Sequence, residues 1–462
     1  MAGAVEAGPG ARSVFSRAQR LLLLAAFALI VVLRLPNAWA EGRFQDEEAT
    51  VFLAYAWHYP WLDALFRPFA GYWNLGASAT TVAAVQLVRG GYLPLERAPY
   101  FTMGVALAFQ LLPAVLILTS KADWLARRLA VIAALLLIAI SPATEEVFFN
   151  VLHIQFHLAL CAALILALDV PDRPRVTILY ATLLFIAPLC GPGPIVILPL
   201  FALRALVDRD RRRLGQLAWF AAGAAVQLLL FYGPSAMRGH LAPPGMLAAA
   251  MFVRMIALRF LGPDFANLTA GVILDSQTSG TRLWWWFAGA AVAAFSVIVA
   301  VASKRRDAAL WLVLSSLSIG AASLGFGMVR LNDADLLGVL SGERYNFLPL
   351  VLLGLALIVL AMRPPSGSRP VFVGLCLLMT LSSAYYYSKT IRGLSSGSSW
   401  PAEVRAWRAD HRHPLAVWPA PFTADLSDEN RPCSPPGPNP GQSTDPRYCE
   451  SGWVAGFYRN GH

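Results

Sequence analysis

Long apolar runs, broken by short arginine-rich stretches, organise the chain from residue 20 to residue 387. A run of roughly 20 apolar residues is enough to cross a hydrocarbon core. Segments of that kind fall at 20–38, 100–119, 128–142, 154–169, 176–190, 194–206, 216–232, 283–303, 308–328, 347–362 and 371–387. The pair 176–190 and 194–206 is short and split by Gly191-Pro192-Gly193-Pro194. It reads either as two spans or as one re-entrant pair, since irregular backbone at depth needs protein or water around it. The pattern therefore predicts an all-α polytopic membrane protein with about 11 transmembrane segments (range about 10–12), and a long first loop at 39–99.

Composition agrees with that reading and charge gives it a direction. Hydrophobic residues make up 57% of the chain and charged residues 14%, against about 25% charged in a soluble domain. The net charge of +10 is not spread over a free basic face. It sits in breaks between apolar runs, as Arg127-Arg128, Arg209 with Arg211 to Arg213, and Lys304 to Arg306. That is the positive-inside pattern, and without interleaved aromatics it excludes nucleic-acid binding. Arg12, Arg17 and Arg20 then place the N-terminus in the cytoplasm, and loop 39–99 and the tail 388–462 outside. Trp284 to Trp286 and Tyr385 to Tyr387 fall at the same outer interface, where aromatic belts form. Arginine-heavy, lysine-poor usage points to a bacterial inner membrane, with the tail periplasmic. The basic start and Ala38-x-Ala40 ending of the first run also fit a cleavable signal peptide, which leaves residue 41 outside on either reading.

Polar residues inside and beside these runs are the candidates for chemistry. EGRFQDEEAT (41–50) sets Glu41, Asp46, Glu47 and Glu48 directly after the first run. VFLAYAWHYPWLDALFRPF (51–69) follows, reading as interfacial helices lying apolar side down. These acids either solvate a helix N-terminus or form a reactive cluster near the membrane surface. In EEVFFNVLHIQFHLAL (145–160), Glu146, Asn150, His153 and His157 are spaced four, three and four. On a helix they make one stripe, either a hydrogen-bonded seam, a wall of a cleft, or a metal pair at His153 and His157. GMLAAAMFVRMIALRF (245–260) reads as another interfacial helix, with Arg254 and Arg259 reaching toward headgroups. Cys161, Cys190 and Cys376 lie in apolar runs, where they pack as small hydrophobes. Cys433 and Cys449 lie in the outer tail, where a disulfide would persist.

An acidic pair just after the first span, followed by a long amphipathic loop, resembles the GT-C superfamily of membrane glycosyltransferases, which includes protein O-mannosyltransferases and aminoarabinose transferases. Asp46-Glu47 looks like the acidic pair of that first loop, and PFAGYWNL (68–75) and GERYNFLP (342–349) look like stretches of bacterial proteins grouped with it. The resemblance covers roughly 20–390 as architecture and only those short stretches as motif. It implies transfer of a sugar from a polyprenyl-phosphate donor to a cell-envelope glycan or lipid acceptor outside the membrane. Asp46 would be the base for the acceptor hydroxyl, assisted by Glu47. Glu47 or Glu48 could instead hold a divalent cation, Mg or Mn. Arg344 and Arg330, with Tyr345, Tyr72, His153 and His157, would hold donor and phosphate. The sequence itself contains no phosphate-cradling loop, dinucleotide fingerprint or nucleophile elbow.

Two other functions share the outer location. An O-antigen-type polymerase or ligase is expected to place basic residues in a large late loop, which 234–282 could supply. A lipid-sugar flippase or transporter is expected to show internal repeats and ionisable groups near the midplane. No repeat is evident, and most acids gather at one face.

Overall fold

A computed structural model of the chain describes residues 14–230, 241–328, 332–363, 367–387, 389 and 396–427. Arg330, Cys433 and Cys449 lie outside them. Helices dominate, and among the described residues the one sheet is a two-stranded ribbon, Leu415–Ala416 against Thr423–Ala424. Among the described residues, six helical stretches are long and apolar enough to cross a membrane: Leu95–Thr119, Pro244–Thr278, Trp284–Ser303, Ala308–Gly327, Arg344–Met362 and Arg369–Tyr387. Pro174–Leu189 and Gly193–Asp208 make a seventh if the bent pair is one span, with 118° between them. Arg128–Ala139 and Ile154–Ala167 are apolar but shorter. The chain is thus an all-helical membrane protein.

The helix Arg344–Met362 is the axis of the bundle, and nearly all its side chains are buried. Around it pack Ala308–Ala322, Arg369–Tyr387, Arg128–Ala139 and Ile154–Ala167. Lipid tails are as apolar as leucine, so helix association here depends on close fit rather than on escape from water. Glycine supplies it at two crossings. A Cβ on Gly354 would stand 2.8 Å from both Leu137 methyls, and one on Gly223 would overlap the Phe185 carbonyl.

One end of the bundle is closed by arginines on helix C-termini, where carbonyls lack partners. Arg213 donates to the carbonyls of Ile165 and Leu168, and Arg363 to those of Val301 and Ala302 and to the Asp307 carboxylate. The opposite end gathers residues 34–48, 141–153, 335–346 and 400–427.

Three expectations change here. The stretch 234–282 is not simply a loop: Pro244–Thr278 is a 35-residue apolar helical stretch, bent where Gly262 takes φ 85 before Pro263. Its arginines turn inward rather than to headgroups. Arg254 is 1% exposed and donates to the carbonyls of Asp335, Leu336, Gly338 and Ser341 and to Asn346. Five acceptors replace the water that snorkelling would have reached. Arg259 is likewise buried, with Ser141 at 3.4 Å.

The tail is also more than an appendage. Trp400, Val404, Leu415, Val417 and Leu426 share one core with Phe44, Leu53, Tyr55 and Val85 of the first loop. The Trp400 indole donates to the Leu95 carbonyl at 2.9 Å, and its ring meets Phe44 edge-on at 4.8 Å. That core explains the third change. Phe52, Leu53 and Tyr55 are buried in protein, leaving Trp61, Leu62 and Phe66 as the exposed apolar side chains of 51–69.

Candidate functional site

The acidic run 46–48 is set by its backbone. The Asp46 N–H donates to the Trp418 carbonyl at 2.6 Å, and the Trp418 N–H donates to the Phe44 carbonyl at 3.1 Å, so a tail strand runs beside 44–46. Asp46 takes φ 42, a left-handed conformation that L residues avoid. Its carbonyl accepts from the N–H groups of Ala49 and Thr50, opening a π-helical turn at Glu48–Leu53. The consequence is that neighbouring acids part. Glu48 turns inward, fully buried, and accepts from the N–H groups of Gln45 and Val151 at 3.2 and 3.3 Å. Glu47 turns to a cavity.

The second strand of the site is the irregular stretch between the helices Arg128–Ala139 and Ile154–Ala167. The predicted helical stripe is not continuous. Only 145–147 makes a short 3-10 turn, and the helix begins after His153. Ala143 (φ 48) and Phe149 (φ 57) bend the chain twice. Asn150 holds it, donating to the carbonyls of Glu146 and Phe148 and to Gln45 Oε1 while accepting the His153 N–H. Consecutive glutamates then face opposite ways. Glu145 meets Arg34 at 2.8 Å, and Glu146 pairs with the Arg344 guanidinium and accepts the Arg344 N–H at 3.0 Å.

PFAGYWNL is a support for the same place. Ala70 (φ 51) and Gly71 (φ 84) form a tight turn closed by Phe69 and Tyr72, and two adjacent positive φ values explain the glycine. Asn74 caps the helix Leu75–Arg89 through the Ala77 N–H and donates to the Leu152 carbonyl at 3.0 Å.

Together these elements enclose a cavity of about 410 Å³. Glu47, Tyr72, His153, Arg344 and Tyr345 border it, with Phe156, Ile195, Val196, Leu228, Ile319 and Phe326 forming apolar walls. Of the predicted site residues, five therefore converge. Asp46 does not border the cavity but lies behind Glu47. Glu48 is committed to backbone donors and cannot reach it. His157 is sealed between Phe347 (4.9 Å) and Phe148 (5.7 Å), with Nε2 against the Val147 carbonyl. Among the described residues no three His, Cys, Asp or Glu come together as a metal-ligand set. The partner of Arg344 is Glu146, not the nearer-in-sequence acids of its own loop. Glu343 faces Glu145 and Arg34, and Asp333 meets Gln277.

Burial sets the protonation of these groups. Burial first, then the adjacent Glu47, pushes the Asp46 carboxyl up to about 8, against the pull of Arg344. Burial raises Glu48 to about 7 despite its two N–H donors and Arg43. For Glu146 burial also acts upward, but Arg344 and His153 outweigh it and hold the carboxyl below its usual range. His153 is lowered to about 4 by burial, so the ring is neutral. A neutral imidazole is a poor phosphate ligand, contrary to the expectation placed on it.

Arg34 and Trp418 were not anticipated. An arginine ending an apolar run was a readable signal for the first; nothing marked the second. Searches against family models, curated proteins and solved structures found no match to the chain.

Proposed function

We propose that the chain is a GT-C-like glycosyltransferase of the bacterial inner membrane, acting at its periplasmic face. It would move a sugar from a polyprenyl-phosphate donor to a glycan or lipid acceptor of the cell envelope. The observation that carries this reading is the cavity's polarity: Glu47, His153 and Arg344 at one end, apolar walls beyond. Such a space suits an amphiphile with an anionic head.

In the proposed reaction Glu47 accepts the proton of the acceptor hydroxyl. The hydroxyl oxygen bonds to the anomeric carbon as the sugar–phosphate bond breaks, and the electron pair leaves with the phosphate. Arg344, held by Glu146, stands to stabilise that anion with parallel donors. Asp46, protonated up to about pH 8, hydrogen-bonds to Glu47 and orients it. The base thus moves from Asp46, the residue the motif suggests, to its neighbour.

The polymerase reading loses its support, because Arg254 and Arg259 are buried within protein rather than offered by a loop. A flippase would use the same amphiphilic cavity. The deciding experiment supplies nanodisc-embedded protein with labelled polyprenyl-phosphoryl sugars and a cell-envelope acceptor extract. Transfer that falls about 10²-fold or more in Glu47→Gln, with unchanged melting temperature, supports the enzyme. Labelled lipid crossing the bilayer equally well in wild type and Glu47→Gln, without transfer, would replace it with the flippase.

A further inference from the structure

His153 is a polar group at the cavity that the proposed reaction does not use. Its Nδ1 lies 2.8 Å from the Glu146 carbonyl oxygen. A carbonyl oxygen only accepts, so the ring proton sits on Nδ1 and a neutral ring carries a lone pair on Nε2. Two further contacts hold the residue in that place: Asn150 Oδ1 accepts the His153 main-chain N–H at 2.9 Å, and the ring packs edge-on against Phe156 at 5.7 Å. The residue is 3% exposed and what exposure it has is to the cavity. Nε2 has no hydrogen-bond partner among the described residues.

A lone pair at that position discriminates. Phosphate oxygens are acceptors and would face it without a shared proton, whereas a hydroxyl can donate to it. Arg344, on the same cavity, has the opposite preference. The polar end therefore carries two unlike recognition points, one for an anion and one for a neutral hydroxylated group.

We infer that His153 is a specificity-determining residue whose Nε2 accepts a hydrogen bond from a hydroxyl of the ligand, so that the cavity selects a hydroxyl-bearing head group attached to the phosphate over the bare lipid phosphate. This rests on the amphiphile reading of the cavity and adds to it the chemistry that the head group must display.

The test is binding to the full chain in nanodiscs, with polyprenyl phosphate and polyprenyl-phosphoryl hexose as separate probes. His153→Phe removes the acceptor and keeps an aromatic ring, while His153→Gln restores an acceptor oxygen. His153→Phe should weaken the hexose-bearing probe about tenfold and leave polyprenyl phosphate unchanged, with His153→Gln recovering most of the loss. Equal weakening of both probes, or of neither, overturns the inference while the amphiphile site stands. Wild-type protein that binds neither probe overturns the reading of the cavity itself. A ligand-independent measurement guards against a misfolded variant: nitrogen-15 NMR of wild-type protein labelled at histidine. His153 should show protonated Nδ1 and bare Nε2, and the reverse tautomer overturns the assignment whatever binds.

Discussion

Glu145 and Glu146 are consecutive, each is paired with an arginine, and the two pairs are built for different ends. Arg34 and Glu145 are 1% and 4% exposed, and Arg34 also donates to the carbonyls of Ala139 and Ser141. That guanidinium closes the C-terminal end of the helix Arg128–Ala139 and sews the helix Arg17–Arg34 to it. Arg344 and Glu146 are 23% and 13% exposed, and Arg344 borders the cavity. The chemistry of the pairs is the same. What separates them is whether the guanidinium is turned to backbone carbonyls or left within reach of a ligand.

The strongest way to break the comparison is to remove each arginine. A fully buried ion pair contributes little net stability, yet deleting one partner strands the other and costs about 3–5 kcal/mol. Arg34→Ala should therefore lower the unfolding free energy by about that much, read by denaturant titration in detergent. Glu343, raised by burial and then by Glu145 and Glu146, is a carboxyl and brings no positive charge to replace the lost guanidinium. Arg344→Ala should cost less than half as much, because water in the cavity can solvate Glu146, but should abolish most ligand binding. Equal stability losses would mean that both pairs are structural.

Part of this arrangement was legible in the sequence and part was not, for physical reasons. Apolar run length marked the helices Ala98–Thr119, Trp284–Ser303, Arg344–Met362 and Arg369–Tyr387 because a membrane imposes one length on every crossing. It failed at Pro244–Thr278, where two buried arginines looked like surface residues; run length cannot see four backbone carbonyls and the Asn346 side chain waiting for Arg254. Glu47, His153 and Arg344 were legible as candidates because ionisable groups beside apolar runs are few, and Tyr72 and Tyr345 because they fall in the stretches PFAGYWNL and GERYNFLP. Their division of labour was not. Spacing placed Glu146 and His157 on one helical face, and two left-handed residues, Ala143 and Phe149, undo the helix that argument required. Which of Asp46 and Glu47 meets the cavity depends on a carbonyl from Trp418, some 370 residues away in the chain, and no local pattern carries that.

A smaller effect sharpens the contrast at the cavity side. Neither Glu145 nor Arg34 has a positive φ of its own, whereas Asp46 is held left-handed at φ 42 beside the Trp418 strand. Left-handed backbone costs an L residue about 1–2 kcal/mol, a cost absent for glycine. Asp46→Gly and Asp46→Ala both delete the carboxyl, so their difference isolates the backbone. Asp46→Gly should be the more stable by about 1 kcal/mol, measured by the same titration. If the two are equal, the strand does not impose the conformation and the tail has no part in aiming Glu47.

The smallest effect is the most specific to the acids, because the two sides of the cavity should respond to pH with opposite signs. Asp46 is raised to about 8 by burial and by Glu47, so the folded state holds a proton that the unfolded chain releases near pH 4. Its contribution to stability is complete below the unfolded value and is lost as pH rises through about 8. Glu48, raised to about 7 by burial, adds to the same decline. Glu146 is lowered, since Arg344 and His153 overcome its burial, and its contribution is instead lost as pH falls below the ordinary carboxylate range. Stability should therefore fall on both flanks, and a melting-temperature series from pH 3 to 9 would show it. Asp46→Asn should reduce the decline between about pH 4 and pH 8 to the part that Glu48 supplies and leave the acid flank alone, while Glu146→Gln should remove the acid flank and leave that decline. The Asp46→Asn result bears on mechanism as well as on stability. An alkaline flank that the substitution leaves undiminished, rather than reduced to the share of Glu48, would mean that Asp46 does not hold the proton, and the case for Glu47 as the acceptor of the substrate's proton would fall with it.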